Sequence, residues 1–368
     1  MTLGKLPPQD TDAGQAIIKR FWNGELEQLT WELGYKNTST LKGALRKIYG
    51  IYITKVPWQP RGNVGTKPLE IIIKPAPIIK VKPIKQEGRR GEGEEIHLQP
   101  IGDAHCGVQT PSYNVAIFKE RLIKLLKAMA QLCFLHRKMR PIKKLVVPFL
   151  GDLVQGEQYG VQGFVEEYEI SALEQIYDVL VPEFSNFFIN LLQIYPNIEI
   201  YGVEGNHGNI QRKAQIMTKR SNWDIVFYRA LKQALAQYSR IEVKTQEVGG
   251  EFYQVIDVNG LKILIVHGDM IVSYQGVPFY GLEKRGLRWK QSIGGREAFD
   301  CVLSGHLHNP NYLWNAGVSW WINGCICSDT KFPLTRMGLK DVSSQWSMFV
   351  NRKYGVTAQY RINLARHL

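Results

Sequence analysis

The chain has 368 residues, 44% of them hydrophobic, and a formal net charge of +13. That length can bury a large core and hold more than one domain, while no apolar run approaches the roughly 18 residues of a membrane span. The opening MTLGKLPPQDTDAG lacks a basic-then-apolar leader, and the five cysteines (Cys106, Cys133, Cys301, Cys325, Cys327) form no C-x-x-C pair; secretion and a disulfide scaffold are disfavoured, and a reduced cytoplasmic setting is expected.

Residues 1–56 read as a small helical unit. AGQAIIKRFWNG carries Ala16, Ile17, Ile18, Phe21 and Trp22 near helical spacing, and GELEQLTWELG repeats the habit with Leu26, Leu29 and Leu33. Gly34 suits a helix C-terminus, and Asn37 to Thr40 offer N-caps for a third helix, LKGALRKIYG. Helix, glycine-containing turn, helix is the helix-turn-helix order. The third helix would present Lys42, Arg46 and Lys47 to a phosphate backbone or base edges. A helical cap packed on the rest of the chain is the alternative.

Residues 57–94 read as a basic, proline-rich linker. Its Lys-Pro repeats forbid a helix and leave extended structure. Lys55 to Arg90 holds nine basic and two acidic residues, a local balance of 9 − 2 = +7. Such a balance favours a polyanionic partner, nucleic acid above all; plain solubility or attraction to anionic lipid would also produce it.

From residue 95 to 368, strands alternate with helices. Amphipathic helices are predicted over Asn114 to Met139, over Glu169 to Tyr195 with an interruption near Pro182, and over Asn222 to Tyr238. Beyond Gly305 to His308 the helices stop and strands follow, including SWWINGCIC and a hairpin around Lys353 to Gly355. The class is α/β. Two basic segments stand out. Gln211 to Arg220 includes Arg212 and Lys213. Gly276 to Gly295 interleaves Lys284, Arg285, Arg288 and Lys290 with Phe279, Tyr280 and Trp289, a mixture that suits phosphate contacts with base stacking. A helix with a solvated basic face is the competing reading.

Five short apolar runs end in polar bursts: IGDAHCG, FLGDLVQG, VEGNHGN, IVHGD and LSGHLHN. Runs of that length, rich in β-branched residues, read as buried strands. Functional groups gather beyond the carboxyl ends of such strands. Asp103, His105, Asp152, Asn206, His267, His306 and His308 would therefore share one edge. Carboxylate, amide and imidazole donors suit divalent metals, and seven are enough for two ions with a shared carboxylate. Asp-x-His and His-x-His would put alternate side chains on one side of an extended segment. His97, His136 and His367 read as ordinary packed or surface histidines.

This ordered series resembles the calcineurin-like metallophosphoesterase superfamily from about residue 95 onward. The resemblance implies a two-sheet β-sandwich flanked by helices. It implies one ion held by Asp103, His105, Asp152 and His308, a second held by Asp152, Asn206, His267 and His306, and Asp152 as the bridge. It also places His207 on the phosphate oxygen or the leaving group. Manganese is the expected metal, with iron, zinc or nickel as alternatives. Two departures matter. Gly208 stands where many members carry an acidic residue, and Val154 to Gly156 replace the Asp-Arg pair of the Ser/Thr protein phosphatases. Residues 205–231 look like bacteriophage proteins labelled DNA-repair-exonuclease-like, with the nuclease branch that includes bacterial SbcD as the characterised relative. A DNA phosphodiesterase or nuclease is expected, as a monomer or homodimer, in a host cytoplasm if phage-encoded. The alternatives are a phosphoesterase for small substrates such as cyclic nucleotides or phosphomonoesters, and a DNA-binding protein with a vestigial metal site.

Overall fold

In the computed structural model, the described residues are 93–157, 167–210, 221–245, 252–271, 279–293, 297–315, 317–330 and 340–365, with short stretches between residues 13 and 45. The chain divides into two compact units, Met1–Glu70 and Ile71–Leu368. In the first, helix α1 (Leu26–Glu32) places Leu29 beside the buried Leu41 and Leu45. Arg20 and Glu32 pair at 2.7 Å on its surface. Lys42, Arg46 and Lys47 lie outside the described residues, as does most of the linker.

The second unit is a four-layer sandwich. One sheet has the order β13-β12-β1-β3-β5-β6 and the other β10-β11-β9-β8-β7. In the first, β1 (Glu95–Leu98), β3 (Ile142–Phe149), β5 (Asn197–Gly202) and β6 (Ile241–Val243) run parallel. The hairpin β12 (Ser344–Asn351) and β13 (Gly355–Asn363) extends that sheet antiparallel beside β1. In the second, β8 (Leu261–Val266), β9 (Cys301–Ser304) and β11 (Val318–Ile322) are parallel; β7 (Tyr253–Val258) and β10 (Asn311–Asn315) flank them antiparallel. A short ribbon, β2 (Val108–Gln109) with β4 (Glu167–Tyr168), stands apart.

Strand alternation builds the layers. Along β8, Ile263 and Ile265 join the core between the sheets, where they meet Leu98, Val146 and Met348. Leu264 and Val266 face the other way, onto Leu282 and Trp289 of helix α5 (Phe279–Ser292). Along β3, Val146 points between the sheets while Leu145, Val147 and Phe149 pack under the helices. This two-sided burial is why the runs read as continuous apolar stretches. The helices over the first sheet are α2 (Val115–Arg137), α3 (residues 172–191) and α4 (Trp223–Leu235). Asn114 caps α2 and Asn222 caps α4 through their side-chain oxygens.

Helix α3 passes through Pro182 instead of breaking there. It runs as Ala172–Glu174, a π-helical stretch Gln175–Leu180, and Val181–Leu191. The wider π turn precedes the proline, whose ring and missing N–H disturb the regular ladder of the preceding turn. SWWINGCIC is a strand only to Ile322; Cys325 makes an isolated bridge to Ser343. His97 is buried between Tyr195 and Ser347 (2.5 and 2.7 Å), and His136 between Glu95 and Tyr360 (3.1 and 3.0 Å). Both are satisfied within the core. His367 lies outside the described residues. Among the described residues, no helix is long and apolar enough to cross a membrane.

Candidate metal centre

The loops after β1, β3, β5, β8 and β9 carry the seven predicted donors. Asp103, His105, Asp152, His267 and His308 are buried; Asn206, His207 and His306 are half-buried. The Asp-x-His and His-x-His pairs are not extended, contrary to the sequence expectation. Asp103, His105, His306 and His308 have φ of 52°, 46°, 69° and 55°, and Asp152 has 51°. Left-handed backbone at non-glycine residues costs of order 1–3 kcal/mol each and persists where surrounding structure holds it. Here it curls the ends of β1, β3 and β9 so that donors converge. Glycines make room: a Cβ on Gly205 would overlap the Asp152 carboxylate, and one on Gly305 would overlap Asp103.

Two groups result. Asp103, His105 and His308 offer donor atoms within 4.8 Å of one another, and so do Asp152, His267 and His306. Asn206 Oδ1 lies 2.9 Å from His267 Nε2. Asp152 also joins a third set with His105 and His207, so its carboxylate stands between the two groups. The backbone N–H of His207 donates to Asp152 Oδ1 at 2.7 Å, and its ring meets the His105 ring edge-on at 4.7 Å.

Tautomers test whether metal ions suit these residues. His105 Nδ1 faces Gln155 Oε1 at 2.6 Å, and His308 Nδ1 faces Asp341 Oδ1 at 2.7 Å. Each acceptor calls for a proton on Nδ1, leaving the lone pair on Nε2. Those two Nε2 atoms face each other at 3.0 Å. His267 repeats the pattern: Nδ1 faces the Leu150 carbonyl at 2.7 Å, while Nε2 faces Asp152 Oδ2 and Asn206 Oδ1 at 3.0 and 2.9 Å. Lone pairs facing lone pairs need a cation between them, either a proton or a metal. Imidazole and carboxylate donors with outward N–H groups held by oxygens are the usual dress of metal-binding histidines.

The charges agree. Burial opposes a charge on His267, yet the Asp152 carboxylate pushes its pKa up to about 10. Burial likewise opposes a charge on His308, but Cys325, Asp341 and Asp103 together hold it well above its ordinary value. Asp152 stays well below the carboxylate range because His267 and His207 outweigh its burial. Burial pushes His207 down to about 4 against the pull of Asp152. At neutral pH its ring is uncharged, an N–H donor instead of a cation.

Three positioning groups escaped the sequence reading. Gln155 and Asp341 orient His105 and His308; Thr330 in turn holds Asp341 by its backbone N–H (2.6 Å) and its hydroxyl. Asp224, fully buried at the start of α4, accepts backbone N–H groups from two ligand loops. Only Asp224 left a trace, in the Asn-Trp-Asp cap of a predicted helix.

Of the expected nucleic-acid contacts, Arg212 and Lys213 lie outside the described residues, as Lys42, Arg46 and Lys47 do. Lys284, Arg285 and Arg288 fall on α5, with Lys284 and Arg288 exposed and Arg285 half-buried. Tyr280 is 75% and Phe279 52% exposed. Trp289 is not available for stacking on a base: it is buried against Trp320, ring centroids 5.7 Å apart, because it shares the inward face with Leu282 and Gly286.

No family model matches the chain, and no curated protein matches it. Among solved structures, the chain is similar to Vps29 complexed with zinc from Entamoeba histolytica, at 11% identity over 73% of this chain and 99% of that one, TM-score 0.35. It is similar to an archaeal phosphodiesterase at 12% identity over 72% and 99%, TM-score 0.33. It is also similar to the E. coli phosphoesterase Yfce at 13% identity over 73% and 100%, TM-score 0.30.

Proposed function

We propose that the chain is a metal-dependent phosphoesterase of the calcineurin-like type, acting as a DNA phosphodiesterase. The carrying observation is the opposed Nε2 pair of His105 and His308, 3.0 Å apart, each fixed by a hydrogen-bonded Nδ1. Asp103, His105, Asp152 and His308 would hold one ion, and Asp152, Asn206, His267 and His306 the other. Two such ions supply, when bound, an acidified water and neutralisation of phosphoryl charge.

The chain's own residues do the rest. Asp152 ties both positions and also accepts the His207 N–H. That bond holds the His207 ring beside His105, where its uncharged N–H can donate to a phosphoryl oxygen or to the departing oxygen. The full donor set speaks against a vestigial site. Net charge +13 and the exposed Lys284 and Arg288 on α5 favour a polyanionic strand over a small ester.

The test is turnover by purified full-length protein with Mn²⁺ on single-stranded DNA, duplex DNA, bis(4-nitrophenyl) phosphate and 4-nitrophenyl phosphate. Cleavage of DNA and the diester supports the proposal. Hydrolysis of the monoester alone would move the substrate to small phosphoesters. DNA binding without any hydrolysis would overturn the enzyme reading.

A further inference from the structure

Helix α4 begins with a polar cluster that the chemistry above does not use. Asp224 is fully buried, and its carboxylate accepts four backbone N–H groups. Oδ1 takes those of Leu153 and Val154 at 3.0 and 3.1 Å. Oδ2 takes those of Asp152 and Gly205 at 2.9 Å each. The first three belong to the loop of the bridging carboxylate, and the fourth to the loop that carries Asn206 and His207. Asn222, also fully buried, adds a second tie. Its Nδ2 donates to the Gly205 carbonyl at 2.8 Å, and its Oδ1 accepts the Asp224 N–H at 2.8 Å. The Trp223 N–H donates to the Gly208 carbonyl at 2.7 Å.

Gly208 completes the arrangement. A Cβ there would come to 2.5 Å from Asn222 Oδ1 and 3.0 Å from its Cγ. The space beside residue 208 is therefore filled by the Asn222 amide, and a side chain at 208 would force that amide to shift. A single carboxylate that joins two ligand loops fixes their separation more tightly than either loop's own turn could. Charged acceptors bind backbone N–H groups more strongly than neutral ones, and four donors on two oxygens allow little rotation.

We infer that Asp224 is a positioning residue that sets the spacing between the two metal positions by clamping the Asp152 loop to the Asn206 loop. The inference rests on the two-ion reading above but does not depend on the substrate. Asp224 needs no contact with either ion. Its effect should fall on the second position, which takes Asn206 from one clamped loop and Asp152 from the other. The first position shares Asp152 but has no donor on the Asn206 loop; its Asp103, His105 and His308 come from elsewhere, so it should be disturbed less.

The experiment compares full-length wild type with Asp224→Asn, using Mn²⁺ as the probe. An amide can accept through one oxygen only, and its NH₂ group would face two of the four N–H donors. Affinity for the ion at the second position should fall about 10–100-fold, the range for supporting groups around a metal, with a smaller loss for the other ion. The electron paramagnetic resonance spectrum should change from that of a coupled pair toward isolated Mn²⁺. In metal-free protein, amide exchange at Asp152, Leu153, Val154 and Gly205 should speed up while the β3 and β5 amides hold. For bis(4-nitrophenyl) phosphate, kcat should fall with KM unchanged. A variant that keeps the coupled spectrum and both affinities overturns the inference. Should Asp224→Asn fail to fold, Asn222→Ala retains the carboxylate while removing the tie to Gly205 and the cap on the Asp224 N–H; it should weaken the same ion, and unchanged affinities would overturn the clamp equally. Wild type that binds a coupled pair but cleaves no phosphoester would defeat the phosphoesterase proposal and leave the clamp standing.

Discussion

Replacing Asp341 with alanine should cripple the first metal position without touching the second. Asp341 Oδ1 accepts His308 Nδ1 at 2.7 Å, and Thr330 fixes the carboxylate from its far side at 2.6 and 2.8 Å. With the carboxylate gone, that ring nitrogen is left with sulfur beside it, Cys327 Sγ at 3.8 Å, a weak acceptor. Leaving a buried donor unsatisfied costs about 1–3 kcal/mol. The ring can avoid that cost by moving its proton to Nε2, which removes the lone pair the ion requires. Either route weakens binding by a similar amount, since about 1.4 kcal/mol is tenfold, and the 10–100-fold typical of lost supporting partners falls in the same range. Calorimetric titration of the metal-free protein with Mn²⁺ should show one site weakened by that factor and one unchanged. Asp341→Asn keeps an acceptor oxygen and should lose much less. Two wild-type affinities in Asp341→Ala would refute the assignment of His308 Nε2 as a donor held through Nδ1.

Asp152→Ala should empty or cripple both positions, because its carboxylate stands between the two donor groups; two tightly bound ions by elemental analysis would defeat the bridging role. His207→Gln should keep both ions and lose turnover by roughly 10²- to 10³-fold, the cost of one lost donor to a developing oxyanion. Because burial keeps the ring uncharged near neutral pH, the loss should be similar for DNA and for bis(4-nitrophenyl) phosphate; a defect confined to DNA would instead mark proton donation to the leaving oxygen. Metal uptake should release a proton at neutral pH, since His267 is protonated up to about 10 without metal. Apparent affinity at its position should then rise with pH by about tenfold per unit while one proton is displaced, and Mn²⁺ addition to unbuffered protein should acidify it. In the metal-free protein the sign reverses: the His267–Asp152 pair contributes fully below the ordinary value of 6.5 and fades as pH climbs through about 10, which thermal unfolding against pH will show. Gly305→Ala should fold but bind the first ion poorly, as its Cβ would displace the Asp103 carboxylate, whereas Gly286→Ala on α5, with only ordinary contacts to Trp320, should leave metal binding unchanged.

Some of this was written along the chain and some was not. The strands after which the donors sit were visible because each is short and apolar on both faces, as a strand between two packed layers must be; Val146 and Val147 point into different cores. The donors themselves were visible because chemistry limits metal ligation to few residue types, and Asp, Asn and His recur at strand ends in a fixed order. The backbone beneath them was not. Nothing in Asp103, His105, His306 or His308 as residue types announces left-handed φ, since that conformation is imposed by neighbours and is intrinsically unfavourable for them. Nor does helical periodicity alone say which face of α5 meets the sheet, so Trp289 could be judged a stacking residue until Trp320 covered it. The supporting groups were least visible: Gln155 reaches His105 across 50 residues, Asp341 reaches His308 across 33, and Asp224 reaches Asp152 across 72. A side chain's own type and spacing determine what it can ligate; which of its nitrogens is left to do so depends on a hydrogen bond from a distant part of the chain, and only folding brings that partner within reach.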